Sequence, residues 1–254
     1  MKDSDKTAVV ICAAGSSSRM GGEKKEYRRL DDSAESLTVL GAVVLAFVSV
    51  PSVEIIVITV PENGEIAARA ALPPEYLTAQ TPKILFASGG QTRRASVYNA
   101  LSSLAQYSPH YVLIHDGARP WISPSLIENI IDAVKKHGAV IPLLPLTDTP
   151  KECNVPLNIF RRNCGSPPPV FIKEHLKRAC TGVAQTPQAF KFREILSAHE
   201  KAASFDDGEF TDDAEVWGRF YGPVAVIPGS QENRKITFPE DIGGGQQGVK
   251  DEIQ

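Results

Sequence analysis

The chain has 254 residues, with 27 Lys and Arg against 30 Asp and Glu, a formal net charge of −3, 42% hydrophobic and 22% charged residues. That length and composition suit one large α/β domain, or two small ones, with a core that needs no disulfide or metal staple. A near-balanced charge argues against nucleic-acid binding driven by a general basic surface. The longest apolar stretch, Leu37 to Val50, is 14 residues, whereas a membrane span takes roughly 20. It reads as a buried helix, and no membrane association is expected. The apolar segment behind the opening MKDSDK is too short for a signal-peptide core. Cys12, Cys153, Cys164 and Cys180 form no C-x-x-C pair, so reduced thiols in a cytoplasmic protein are expected rather than a zinc site or a disulfide framework.

Taken in chain order, short apolar runs alternate with helix-period segments. Strands are predicted at 8–12, 53–60, 83–87, 111–115 and 139–144, each rich in Val and Ile and apolar on both faces, as a sheet covered on both sides requires. Val97, Ala100, Leu101 and Leu104 fall at i, i+3, i+4, i+7, and so do Ile127, Ile130, Ile131 and Val134. The second of these helices carries full boundary signals: Ser123 as N-cap, Pro124 at the first position and Gly138 past its end. Alternation of this kind predicts an α/β fold with a doubly wound, mostly parallel sheet flanked by helices, and ligands at the carboxyl ends of the strands. The pattern breaks near Thr147, where Pro150, Pro156 and the run Pro167 to Pro169 interrupt regular structure. The segment 147–182 reads as a surface loop or, by preference, a projecting β-arm that packs on a second subunit. Regular structure resumes with a helix around 190–199, another beginning at Thr211, whose hydroxyl is a candidate cap, and a strand at Val224–Ile227. Residues 1–242 therefore read as a single domain, and 243–254 as a poorly ordered tail.

The first strand runs into Ala13-Ala14-Gly15-Ser16-Ser17-Ser18-Arg19-Met20, followed by Lys25 and Tyr27. Small residues let a backbone wrap closely around a ligand, and exposed amides bind phosphate oxygens. Arg19 and Lys25 beside such a loop favour a nucleoside triphosphate. The fourth strand ends in His115-Asp116-Gly117-Ala118-Arg119-Pro120. A carboxylate at that place suits Mg²⁺, a hard ion held through one or two carboxylates and substrate phosphates, and Arg119 is placed to orient it or to touch phosphate. Gly89-Gly90 before a helix allows close approach of a flat base, with Ser96 on the first turn. Gly243, Gly245 and Gly248 match G-x-G-x-x-G, but no strand precedes them, and there is no Walker A sequence.

Together these segments resemble a known family. AAGxSxRM with Lys25-x-Tyr27, GGxxR with Ser96, HDGARP, Thr186-Pro187-Gln188, the TDDA at Thr211, and Asn233-Arg234-Lys235-Ile236-Thr237 stand in the order found in the 2-C-methyl-D-erythritol 4-phosphate cytidylyltransferases. The resemblance covers about residues 7–242. It implies a Rossmann-like nucleotidyltransferase, a homodimer through the 147–182 arm, CTP and a sugar-alcohol phosphate as substrates, and Mg²⁺ or another divalent cation. By this matching Arg19 and Lys25 stabilise the charged transition state, Asp116 holds the metal, and Lys235, with Thr149 and Arg178 across a dimer, binds the phosphate of the second substrate. Lys177 and Lys173 stand near enough to Arg178 to substitute for it. Ala13, Ala14, Gly15, Gly90, Gln91, Ser96 and Gly117 fall on positions lining cytosine and ribose, with Arg119 near the nucleotide. Gln91 stands where the family carries an acidic residue, and Thr211 matches a position near the substrate. The same loops would serve a ribitol 5-phosphate cytidylyltransferase. A nucleotide-binding regulator without turnover would not need Arg19, Lys25, Asp116 and Lys235 together. A dehydrogenase would carry a glycine fingerprint after the first strand, which Ala13-Ala14-Gly15-Ser16 does not supply.

Overall fold

The structure is a computed structural model that describes residues 6–16, 24–33, 35–157, 169–204 and 210–242. Arg19 and the tail from Gly243 fall outside the described residues. Among the described residues ten strands follow in chain order: β1 (Thr7–Cys12), β2 (Val53–Val60), β3 (Lys83–Ser88), β4 (Tyr111–Asp116), β5 (Ala139–Pro145), β6 (Lys151–Cys153), β7 (Ile172–His175), β8 (Gly182–Ala184), β9 (Gln188–Lys191) and β10 (Ala225–Pro228). The helices are α1 (Val39–Val48), α2 (Glu65–Ala70), α3 (Pro74–Thr78), α4 (Arg93–Leu104), α5 (Pro124–His137), α6 (Phe192–Ala203) and α7 (Asp213–Phe220).

The main sheet has the order β10-β5-β9-β4-β1-β2-β3, with β8 paired to β5. Pairings β1–β2, β1–β4, β2–β3 and β5–β10 are parallel, while β9 runs antiparallel between β4 and β5. The period of two along each strand divides the core. On β1, Val9 and Ile11 face one side with α1 and α5, whereas Ala8 and Val10 face the other with α4, α6 and α7. Both faces are covered, which is why the strands read as continuous apolar runs. Among the described residues, no helix is long and apolar enough to cross a membrane.

Three local expectations shift. The segment from 190 opens as strand: Phe190 pairs with Val112 and Ala139, and the helix begins at Phe192. The period of that helix was legible, but the preceding strand is only four residues long and antiparallel, too short to announce itself. The cap of α7 is Asp212, whose Oδ1 accepts from the Glu215 backbone N–H at 2.9 Å, while the Thr211 hydroxyl donates to Glu215 Oε2 at 2.7 Å. Where two capping residues adjoin, only the tertiary path of the chain selects between them. The last strand lies at Ala225–Pro228, one residue later than expected. Within the Pro-rich excursion, β6 and β7 form a separate two-stranded antiparallel sheet, and Leu157, Phe171 and Ile172 are exposed on it or beside it.

The boundaries of α5 came out as expected. Ser123 Oγ accepts from Leu126 N–H at 3.3 Å, Pro124 occupies the first position, and Gly138 carries φ +82°. Replacing Ser123 by Ala removes a partner for one orphan amide and should lower unfolding free energy by about 1 kcal/mol. Urea denaturation with an unchanged m-value checks this.

Candidate active site

β1 lies between β2 and β4. The chain that leaves β1 moves outward to β2 and β3, and returns on the other side as β4. Ligands of open α/β sheets bind where the strand order reverses in this way. The exits from β1 and β4 are tied together there, since Gly117 N–H donates to the Cys12 carbonyl at 2.9 Å. A Cβ on Gly117 would stand 2.9 Å from that same oxygen, so packing alone requires glycine. Ala13 N–H donates to Thr59 Oγ1 on β2 at 3.1 Å. The third loop closes onto the first: a Cβ on Gly89 would stand 2.4 Å from the Ala14 Cβ. Gly90 N–H donates to the buried Ser96 Oγ at 2.9 Å, and that hydroxyl donates to Thr92 O at 3.0 Å. Ser96 thus shapes the Gly89-Gly90 turn from within. Ala13, Ala14, Gly89, Gly90, Ser96 and Gly117 thus belong to turns in direct contact at this end of the sheet, and Gly15, Gly90 and Gln91 are exposed.

Asp116 is the electrostatic centre. It is 8% exposed. Lys235 Nζ approaches its Oδ2 at 2.9 Å and Arg119 Nε the same oxygen at 3.4 Å, while Arg93 Nε faces Oδ1 at 3.9 Å. Burial opposes ionisation of this carboxyl, but Lys235, Arg93 and Arg119 outweigh it and hold the pKa well below the usual carboxylate range. Asp116 therefore stays charged at neutral pH. Its backbone N–H donates to Thr186 Oγ1 at 3.0 Å, Thr186 Oγ1 lies 3.1 Å from His115 Nδ1, and His115 Nε2 lies 3.2 Å from the Arg119 carbonyl. Arg119 Nη1 donates to Asn233 O at 2.7 Å, and Asn233 Nδ2 to Thr186 O at 2.8 Å. Four sequence motifs far apart in the chain meet in this one network.

The two lysines after the first loop take different directions. Lys25 Nζ donates to the Ile236 carbonyl at 2.7 Å, next to Lys235. Lys24 Nζ donates to the carbonyls of Ala13 and, more closely, Gly15, and burial lowers its pKa. Sequence reading singled out Lys25; Lys24 is the one that braces the loop. Thr149 and Arg178 are exposed, and Arg178 Nη1 donates to Thr147 O at 2.7 Å at the base of the arm. Thr211 is also exposed. Arg93 stood in the GGxxR motif but was given no role, although an arginine at the first helical turn behind Gly-Gly was a signal available from sequence. Its partner Asp213, 2.8 Å away, lies in the TDDA segment and was given no role of its own.

Asp116 suits a hard divalent cation: it is an ionised carboxylate whose Oδ2 is engaged by cations and whose Oδ1 has a looser neighbour. Among the described residues, no group of three or more His, Cys, Asp or Glu side chains could hold a metal ion. A cation here would draw its remaining ligands from substrate phosphates and water.

Comparison with known proteins gives the family. The sequence model of the 2-C-methyl-D-erythritol 4-phosphate cytidylyltransferase family, IspD, matches residues 7–249. The bifunctional enzyme IspD/IspF of Brucella anthropi is 35% identical over 240 residues, covering 93% of this chain and 54% of that protein. The chain thus spans about half the length of such curated relatives. The crystal structure of 4-diphosphocytidyl-2C-methyl-D-erythritol synthase from Anaerococcus prevotii is similar with a TM-score of 0.75 at 25% identity, covering 94% of each chain. That of 2-C-methyl-D-erythritol 4-phosphate cytidylyltransferase from Francisella tularensis has a TM-score of 0.71 at 26% identity, covering 93% of this chain and 96% of that one.

His115 gives the network a measurable signature. Burial pushes its pKa from 6.5 down to about 4. The folded protein keeps the ring neutral, whereas the unfolded chain takes up a proton once pH falls below about 6.5. Stability from this residue is therefore present above about pH 6.5 and lost as pH falls towards about 4, on the order of 3 kcal/mol in full. Urea midpoints at pH 7 and pH 4.5 should converge in His115→Gln relative to the unsubstituted protein.

Proposed function

The chain belongs to the 2-C-methyl-D-erythritol 4-phosphate cytidylyltransferase family, and on that premise we propose that it transfers CMP from CTP to 2-C-methyl-D-erythritol 4-phosphate. The products would be 4-diphosphocytidyl-2-C-methyl-D-erythritol and pyrophosphate, in isoprenoid precursor biosynthesis. The observation that carries this reading is the ionised Asp116 ringed by Lys235, Arg119 and Arg93 beside a small-residue loop. Such a centre suits the accumulation of phosphate charge rather than hydride or acyl chemistry.

In the proposed reaction a phosphate oxygen of methylerythritol phosphate attacks the α-phosphorus of CTP. The new P–O bond forms as the bond to the bridging oxygen breaks, and its electron pair leaves with pyrophosphate. No covalent enzyme intermediate is involved, so catalysis rests on positioning and on charge stabilisation. Arg19 and Lys25 are assigned to the charge that grows on the α-phosphate. Ala13, Ala14, Gly15, Gly90, Gln91, Ser96, Gly117 and Arg119 are assigned to CTP. Asp116 would hold Mg²⁺, which supplies Lewis-acid neutralisation of the triphosphate. Lys235 is assigned to the phosphate of the second substrate, with Thr149 and Arg178 from a partner copy and Thr211 close by. We read residues 1–242 as one cytoplasmic nucleotidyltransferase domain that dimerises through the 147–182 arm. The exposed Leu157, Phe171 and Ile172, at 52%, 64% and 52%, support that use of the arm.

Pyrophosphate release from CTP and Mg²⁺ should be fast with methylerythritol phosphate and slow with ribitol 5-phosphate. The reverse preference would move the protein to polyol-phosphate synthesis, and silence with both despite CTP binding would mark a regulator. Arg19→Ala should lower kcat by about 10²–10³ with CTP affinity little altered. Arg178→Ala should raise KM for the alcohol phosphate and spare that for CTP. If Lys177→Ala alone does so, the assignment on the arm belongs to Lys177.

A further inference from the structure

Arg93, the first residue of α4, has its guanidinium between two carboxylates. Nη2 is 2.8 Å from Asp213 Oδ2, and Nε is 3.9 Å from Asp116 Oδ1. Asp213 is itself fixed. It is 1% exposed, its backbone N–H donates to Gln188 Oε1 at 3.1 Å, and its Oδ1 is 3.2 Å from Nε2 of the fully buried His199 on α6. Burial disfavours the Asp213 carboxylate, yet Arg93 and His199 keep its pKa below the usual value.

This cluster is a poor device for stability. Neither Asp213 oxygen and neither His199 ring nitrogen makes an aligned hydrogen bond, so the Arg93–Asp213 contact is held by charge at close range. Burying ions costs more than packing apolar groups of similar volume. What the cluster does achieve is a place for the guanidinium. Lys235 and Arg119 both close on Asp116 Oδ2, and Oδ1 is the oxygen that Arg93 faces. Arginine pairs with a carboxylate through its planar fork at about 2.7–2.9 Å when free to do so. Here Asp213 takes that close contact, and the approach to Oδ1 stops about an ångström short of it.

We propose that Asp213, backed by His199, is a positioning residue that tethers Arg93 away from Asp116 Oδ1 and so leaves this oxygen open to the divalent cation that accompanies CTP. The proposal rests on the reading of Asp116 as the metal carboxylate. Without the tether, Arg93 closes on Oδ1 and competes with the cation for it.

The test is Mn²⁺ binding to the full chain with CTP and no acceptor, read by water-proton relaxation, which separates protein-bound Mn²⁺ from free Mn·CTP. Asp213→Asn should weaken Mn²⁺ binding on the order of tenfold, as loss of a group supporting a metal ligand does, while metal-free CTP binding stays unchanged. Adding Arg93→Gln to Asp213→Asn should restore Mn²⁺ affinity, because the competing cation is gone, and Arg93→Gln alone should bind Mn²⁺ at least as tightly as the unsubstituted protein. Unaltered Mn²⁺ affinity in Asp213→Asn, or no restoration in the double variant, overturns the tether. Should Asp213→Asn fail to fold, a weakened Mn²⁺ affinity in Arg93→Gln overturns it equally, and an affinity at or above the unsubstituted level supports it. Unsubstituted protein that binds no Mn²⁺ with CTP overturns the reading of Asp116 and the tether with it.

Discussion

A carboxylate at the end of a buried strand stays ionised only if positive charge or hydrogen-bond donors offset its desolvation, which alone would push its proton back on. Asp116 meets that condition with Lys235, Arg119 and Arg93. Each cation arrives from a different part of the chain: the turn after β4, the opening of α4, and the segment behind β10. Much of the local architecture follows from delivering them. Asn233 and Gln185 hold the 230–236 segment against the sheet, since Gln185 Nε2 donates to Ser230 O at 2.8 Å and Asn233 Nδ2 to Thr186 O at 2.8 Å. Ile236 N–H donates to Ala118 O at 2.8 Å, and Lys25 closes onto the Ile236 carbonyl. The last described segment is thereby laced to the exits of β1 and β4, the two strands that define the site.

The second layer is polar as well. His115, Thr186 and Asn233 are buried and bond to one another or to the Arg119 backbone. Their hydrogen bonds fix the position of groups that touch Asp116. Asp213 and His199 lie instead among α4, α6 and α7, and none of their side-chain oxygens or nitrogens makes an aligned hydrogen bond. Polar groups this deep cost stability, and their concentration behind one carboxylate sets this end of the sheet apart from the apolar remainder of the core.

The arm obeys different physics. Among the described residues its two short strands pair only with each other, and a lone two-stranded ribbon is marginal in water. Exposed Leu157, Phe171 and Ile172 add apolar surface that the chain itself leaves uncovered. Arg178 ties the base of the arm to Thr147, so the residues assigned to the second substrate hang on the element that most needs a partner. The proposed dimer would meet both needs at one contact.

What the sequence determined by itself is the class of fold, most element positions and the family. Strands apolar on both faces admit few architectures, capping signals such as Ser123 and Gly138 act locally, and the loop motifs are contiguous in the chain. Motif matching also named Asp116 and Lys235 without any contact to guide it. Tertiary structure alone decided which neighbours those residues have. That Lys25 reaches across to the Ile236 carbonyl and that β9 runs antiparallel between β4 and β5 depend on pairings across tens of residues. The Arg93–Asp213–His199 line joins three helices that meet only after the sheet has formed. Periodicity and spacing report what a residue does with neighbours one turn or one strand away, and charge brought together from α4, α6 and α7 lies beyond that range.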